Sequence, residues 1–172
     1  MSDAQTHPDH VPTPRLTTVS AHGGSVSFDV PADWETIVLS EDAGVVAALE
    51  PDHGGSFRTN FLLTAGPVDG PLGDWQRQTW RHDEEVADHL LLDREALGVG
   101  GHAGTRHLTT HATPAGESVS TESWSTVVGG TGVTLTANVA TLRLTELAPL
   151  VDSVASSLVV RAPGRVPGRV RA

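Results

Sequence analysis

The chain has 172 residues, a formal net charge of -10 with histidine counted neutral, and no cysteine. That length fits one domain able to bury a core, and the missing thiols exclude disulfides, thiolate catalysis and cysteine-bound zinc. All 11 basic residues are arginine, which excludes a phosphate-loop lysine and Schiff-base chemistry.

Residues 1–15, "MSDAQTHPDHVPTPR", hold two Asp, three Pro and no hydrophobic stretch. They read as a disordered lead, neither a secretory signal nor a lipoprotein leader, so the expected location is the cytoplasm. No apolar run approaches the roughly 18 residues needed to span a bilayer, so direct membrane insertion is not expected. A single domain is expected over residues 16–160. Within it, Ser25–Val30, "SVSFDV", places Val26, Phe28 and Val30 on one face, the pattern of a half-buried strand. "PADW" then turns the chain at Pro31. Two extended segments follow, near Glu35–Leu39 and Gly44–Leu49, and in "SFRTNFLLTAG" residues Phe57, Thr59, Phe61 and Leu63 recur at period two.

At Asp69 the signals change. Asp-Gly-Pro leads into "LGDWQRQTWRHDEEVADH", with Pro71 near the first turn, where its missing N–H costs nothing. The spacing predicts a helix over 72–89 with Leu72, Trp75, Thr79 and Val86 on the buried stripe and Trp80 at its rim. "HLLLDREAL" supplies another strand. After a glycine-rich connector, Thr105–Ala112 and Glu117–Val128 flank the turn "TPAG", and "GGTG" turns into "VTLTANVA", giving a three-strand antiparallel meander. "ELAPLVDSVASSL" carries helical spacing at Leu147, Leu150, Val151, Val154 and Leu158, with Pro149 placed in a first turn. Residues 161–172 repeat PGRV and read as a flexible basic tail. Residues 1–160 carry 7 Arg against 21 acids, a net -14, and a body that acidic repels nucleic-acid backbones. The order of elements implies an α+β fold around a central antiparallel β-sheet.

Short motifs find bland explanations. Gly98, Gly100 and Ala103 fit the dinucleotide spacing G-x-G-x-x-A, but that fingerprint needs a helix to begin there, and the threonine-rich residues that follow continue as a strand. His107 and His111, with His102 nearby, have a zinc-like spacing only on a helix; on a strand four residues separate their backbones by about 13 Å. Thr105, His107, Thr109 and His111 are therefore expected on the polar face of a strand whose other face buries Leu108. His82, Asp83, Glu84, Glu85, Asp88 and His89 read as a solvated helix end. No metal, cofactor or catalytic residue is expected.

"VSFDVPADW", "GVGGHAGTR" and "ELAPLVDSVASSL" resemble, in order and spacing over residues 16–160, the opening F-x-V-P-x-x-W, the small-residue segment at Gly100, Ala103 and Arg106, and the closing helix of the PsbP-like superfamily. That superfamily includes LpqN/LpqT and DcrB-related proteins and the Mog-type fold. The resemblance implies an α/β/α sandwich, with helices flanking the sheet, and a non-enzymatic protein-binding role, as an adaptor or chaperone-like module. The expected partner is another protein. Trp80, with Arg77 and Arg81 as polar rim, is the first candidate for partner binding, and the strand around Arg106 and His107 is the second. The alternative is a small-molecule binding or sensing domain whose pocket, between sheet and helix, is lined by Trp75, Trp80 or Trp124.

Overall fold

Alternation in "SVSFDV" becomes strand β2 (Val26–Pro31), whose Val26, Phe28 and Val30 are all buried. The structure, a computed structural model, describes residues 15–41, 44–54, 57–80 and 89–162, without the side chain of Trp80. The expected lead, the second half of the 72–89 helix with Arg81 and Val86, and the tail from 163 onward lie outside the described residues.

The other elements are β1 (Leu16–Ala21), β3 (Glu35–Ser40), β4 (Val45–Leu49), β5 (Asn60–Pro67), α1 (Leu72–Trp80), β6 (Leu90–Val99), β7 (His102–Ala112), β8 (Ser118–Val128), β9 (Thr131–Ala140), α2 (Leu144–Ser156) and β10 (Val159–Val160). The chain is α+β and mostly antiparallel sheet. Seven strands pair in the order β3-β4-β5-β9-β8-β7-β6, so the expected meander is present and is extended on both sides. The glycine-rich connector shrinks to a turn at Gly100 and Gly101, both with positive φ, between β6 and β7, as a two-residue hairpin requires. A Cβ at Gly100 would also collide with Val160. No helix starts there, which removes the dinucleotide reading.

A second sheet, β1-β2-β10, was not anticipated. In "LTTVSA" only Val19 and Ala21 are buried, too sparse a pattern to signal a strand, and β10 is two residues directly after a helix. Helix α2 starts two residues before the expected position, which puts Pro149 beyond the first turn, on the exposed face. Its Leu147, Val151 and Val154 join the core.

The register of the large sheet separates two faces. On one, the rows Leu63–Leu135–Trp124 and Phe61–Ala137 meet β2 and α2, and Phe61 touches the rings of Phe28 and Trp34 at centroid distances of 6.5 and 5.6 Å. On the other run the rows Thr64–Thr134–Ser125–Thr105 and Leu62–Thr136–Ser123–His107. Helix α1 covers this polar face. Trp75 Nε1 donates to Thr134 Oγ1 at 2.8 Å, Gln76 donates to Thr105, and the indole lies so close to Gly132 that no Cβ fits there. His107 does not face solvent as expected: it is 2% exposed, while Leu108 on the opposite face is only half-buried. Where α1 lies on it, this polar face is ground beneath a helix: Trp75 and Gln76 meet Thr134 and Thr105 there.

Candidate functional site

Arg106 sits where the apolar core meets an acidic sheet edge. Its row runs Leu63–Leu135–Trp124–Arg106–Glu95, with Asp93 and Glu122 in the adjacent row. Arg106 Nε donates to Glu122, and Nη1 lies 3.2 Å from Asp93 Oδ2 and 3.7 Å from Glu95 Oε2. The Arg106 side chain is 25% exposed and that of Glu122 11%. Burial disfavours the guanidinium charge, but hydrogen bonding to Glu122 and the charges of Glu122 and Asp93 outweigh it, so its pKa rises above the ordinary value. Arg106 is held permanently cationic.

Beside it lies a cavity of about 250 Å³ between the sheet and the end of α2, lined by Leu97, Val99, Trp124, Arg106, Glu122 and Asp152. Arg106 is thus ion-paired to three carboxylates, Asp93, Glu95 and Glu122, and a fourth, Asp152, lines the same cavity, a local excess of negative charge. The arrangement supplies shape, an aromatic wall and acceptors for a cationic or hydrogen-bond-donating group. The edge strand β6 borders this cleft. Among the described residues it pairs only with β7, and its Leu90, Leu91 and Leu92 are 57%, 51% and 52% exposed.

The structure separates the candidates read from sequence. Arg77 is exposed on α1 and ion-paired to Asp74. Trp80 ends α1, with its side chain, like Arg81, outside the described residues. Arg106 and His107 are neighbours on β7 and therefore project to opposite faces. His107 is covered, and burial first, then the charge of Arg94, lowers its pKa to about 4. Of the tryptophans named for a pocket, Trp124 lines the cleft and Trp75 is buried between α1, to which it belongs, and the sheet. Glu122 and Asp152 escaped the sequence reading because only the register of β7 on β8 and the docking of α2 bring them to Arg106.

A second ionic cluster braces α2. Arg143 Nη1 and Nη2 donate to Glu50 at 2.8 and 2.9 Å, and Nη2 reaches Glu146 at 3.1 Å. Burial raises the Glu50 pKa, but hydrogen bonds from Arg143 and Thr59 prevail and lower it to about 2. Among the described residues, no group of three or more His, Asp or Glu is placed to hold a metal ion, and no helix is long and apolar enough to cross a membrane.

No protein-family model matches the sequence, and no curated protein is similar to it at a significant level. Solved structures do match. PsbP (CyanoP) of the cyanobacterium Synechocystis superposes with a TM-score of 0.64 at 17% identity, over 91% of this chain and 98% of that one. The Ran-binding protein Mog1p of Saccharomyces cerevisiae gives 0.59 at 13% identity, over 87% and 97%. LpqN of Mycobacterium tuberculosis, involved in cell envelope biogenesis, gives 0.59 at 14% identity, over 84% and 90%. The chain has the PsbP-like, Mog-type fold.

Proposed function

We propose that the chain is a non-enzymatic protein-binding module, an adaptor or chaperone-like protein of the bacterial cytoplasm, built as an α/β/α sandwich within residues 16–160. The observation that carries this reading is the edge of β6, which among the described residues pairs only with β7, exposes Leu90–Leu92 at its start and borders the Arg106 cleft at its far end through Leu97–Val99. A sheet edge recognises an extended partner segment through its unpaired backbone groups, and flanking pockets select side chains. The Ran-binding relative lends support, since its fold carries protein recognition in that protein.

The edge is poorly suited to a second copy of itself. Two-fold antiparallel pairing of β6 centred on Arg94 sets Arg94 against Arg94 and Asp93 against Glu95, and centring on Asp93 or Glu95 again opposes like charges. A different protein, offering apolar and cationic side chains, fits better. Trp80, Arg77 and Arg81 are proposed to complete the surface, while His107, being buried, takes no direct part in it. Nucleic acid is not a partner in this reading.

The test is capture from the host with wild-type protein and with Leu91→Asp, Arg106→Gln and Trp80→Ala. Each variant is expected to weaken capture by on the order of 2 kcal/mol while remaining folded. A Trp80→Ala variant that instead loses about 3–5 kcal/mol of stability would assign that ring to packing. One observation favours a second reading, a small-molecule sensor: Trp124 and α2 enclose the cleft on two sides. A ligand retained through purification and displaced by Arg106→Gln would support it.

A further inference from the structure

A trough runs between the two sheets on another side of the molecule, where β1 lies against β3 and β4. Two cavities, of about 370 and 200 Å³, lie along it and share Ser20, Val38 and Val46. The larger is walled by His22–Gly24, Ser40 and Glu41, the smaller by Thr17, Thr18 and Thr36. Both β1 and β3 therefore run in the same direction, from the smaller cavity to the larger. Val38 pairs with Val46 and lines both cavities, yet it is 58% exposed. Among the described residues β1 pairs only with β2, so its other edge is open towards the trough.

The far end of the described chain arrives next to the His22–Gly24 wall of the larger cavity. β10 runs antiparallel to β2 with Val160 opposite Val26, and Arg161 N–H donates to Ser25 O at 2.8 Å, directly after the His22–Gly24 wall. Residues 163–172 continue from that point. A segment laid into the trough from there runs antiparallel to both β1 and β3, the orientation for pairing with the open edge of β1. Length suffices: five residues of β1, Thr17 to Ala21, line the trough, about 17 Å, and ten extended residues reach about 31 Å. Charge also matches, because the segment carries Arg165, Arg169 and Arg171 with no acid, and Glu41 stands at the larger cavity.

We propose that residues 163–172 close this trough in cis as an added strand antiparallel to β1, with Val166 or Val170 against Val38 and an arginine against Glu41. The tail expected from composition to be free is, on this account, a built-in occupant of the trough. The preceding segment, residues 1–14, is the weaker candidate, since it carries Asp3 and Asp9 and no arginine.

Amide hydrogen exchange on the full chain and on a chain ending at Ala162 tests this. The β1 amides that point away from β2 should exchange about tenfold faster without the tail, while β8 and β9, the control for intact folding, stay unchanged. A synthetic peptide of residues 163–172 should restore the protection, and full-length protein with Arg165, Arg169 and Arg171 changed to Glu should lack it. Equal exchange in the two chains overturns the proposal. So does protection that vanishes on dilution, which assigns the trough to a second copy, or protection lost on removing residues 1–14 and kept on removing 163–172.

Discussion

The two faces of the seven-stranded sheet solve the same problem with different chemistry. Towards β2 and α2 the sheet presents Phe61, Leu63, Val133, Leu135 and Trp124, and cohesion comes from apolar area removed from water. On the α1 side it presents Thr64, Thr105, His107, Ser123, Ser125, Thr134 and Thr136, and cohesion rests on directed bonds: Trp75 to Thr134 and Gln76 to Thr105 hold the helix, while Ser125 with Thr134 at 2.9 Å and Ser123 with Thr136 at 3.1 Å tie the strands beneath it. The first face tolerates changes of shape that preserve volume. The second fixes where α1 sits, because a misplaced helix would leave buried polar groups unsatisfied.

The contrast is broken most strongly on the apolar side. Phe61→Ala is expected to cost about 3–5 kcal/mol in denaturant unfolding, since it empties the contact with Phe28 and Trp34. A loss below about 1 kcal/mol would mean that the two sheets do not share one core.

On the polar side the largest expected effect is a pH dependence. His107 in the fold takes up a proton only near pH 4, against 6.5 for the ordinary ring. Between those values the unfolded chain holds more protons, so stability rises with pH, is complete above 6.5 and is lost as pH falls through 4. The difference amounts to about 3 kcal/mol, and His107→Gln should flatten it. Glu50 acts lower, with stability present above 4.5 and lost as pH falls through about 2, so a His107→Gln variant keeps that acid limb. Unfolding curves from pH 3 to 8 would check both, and an unchanged slope in His107→Gln would contradict the burial of the ring.

A smaller effect sharpens the comparison. Gly132→Ala drives a methyl group into the Trp75 indole and should cost about 1–3 kcal/mol, with a change in tryptophan fluorescence that Phe61→Ala does not share in kind. Normal stability with unchanged fluorescence would show that α1 is not seated on Gly132.

Legibility in the sequence follows the same division. Apolar alternation announces itself, so β2, β5, β8 and β9 and the buried sets Val26, Phe28, Val30 and Val133, Leu135, Ala137 were readable. The start of α1 was readable from Asp-Gly-Pro, and the order of short motifs led to the fold. A polar strand face carries no such mark. Nothing local tells whether Thr105 and His107 meet water or a covering layer, so the burial of His107 is not legible in its own strand. β1 and β10 were missed because their burial is created by each other's pairing with β2. Arg106 was singled out on its own strand, but its setting needed three strands in register and one helix. No single segment holds that information.

The most direct test of the central claim is partner capture through the β6 edge, measured as affinity for a stoichiometric partner by wild type and by the folded Leu91→Asp, Arg106→Gln double variant. The account predicts that wild type retains a protein partner and that the variant loses at least about tenfold in affinity. Equal affinity in the two proteins would contradict it.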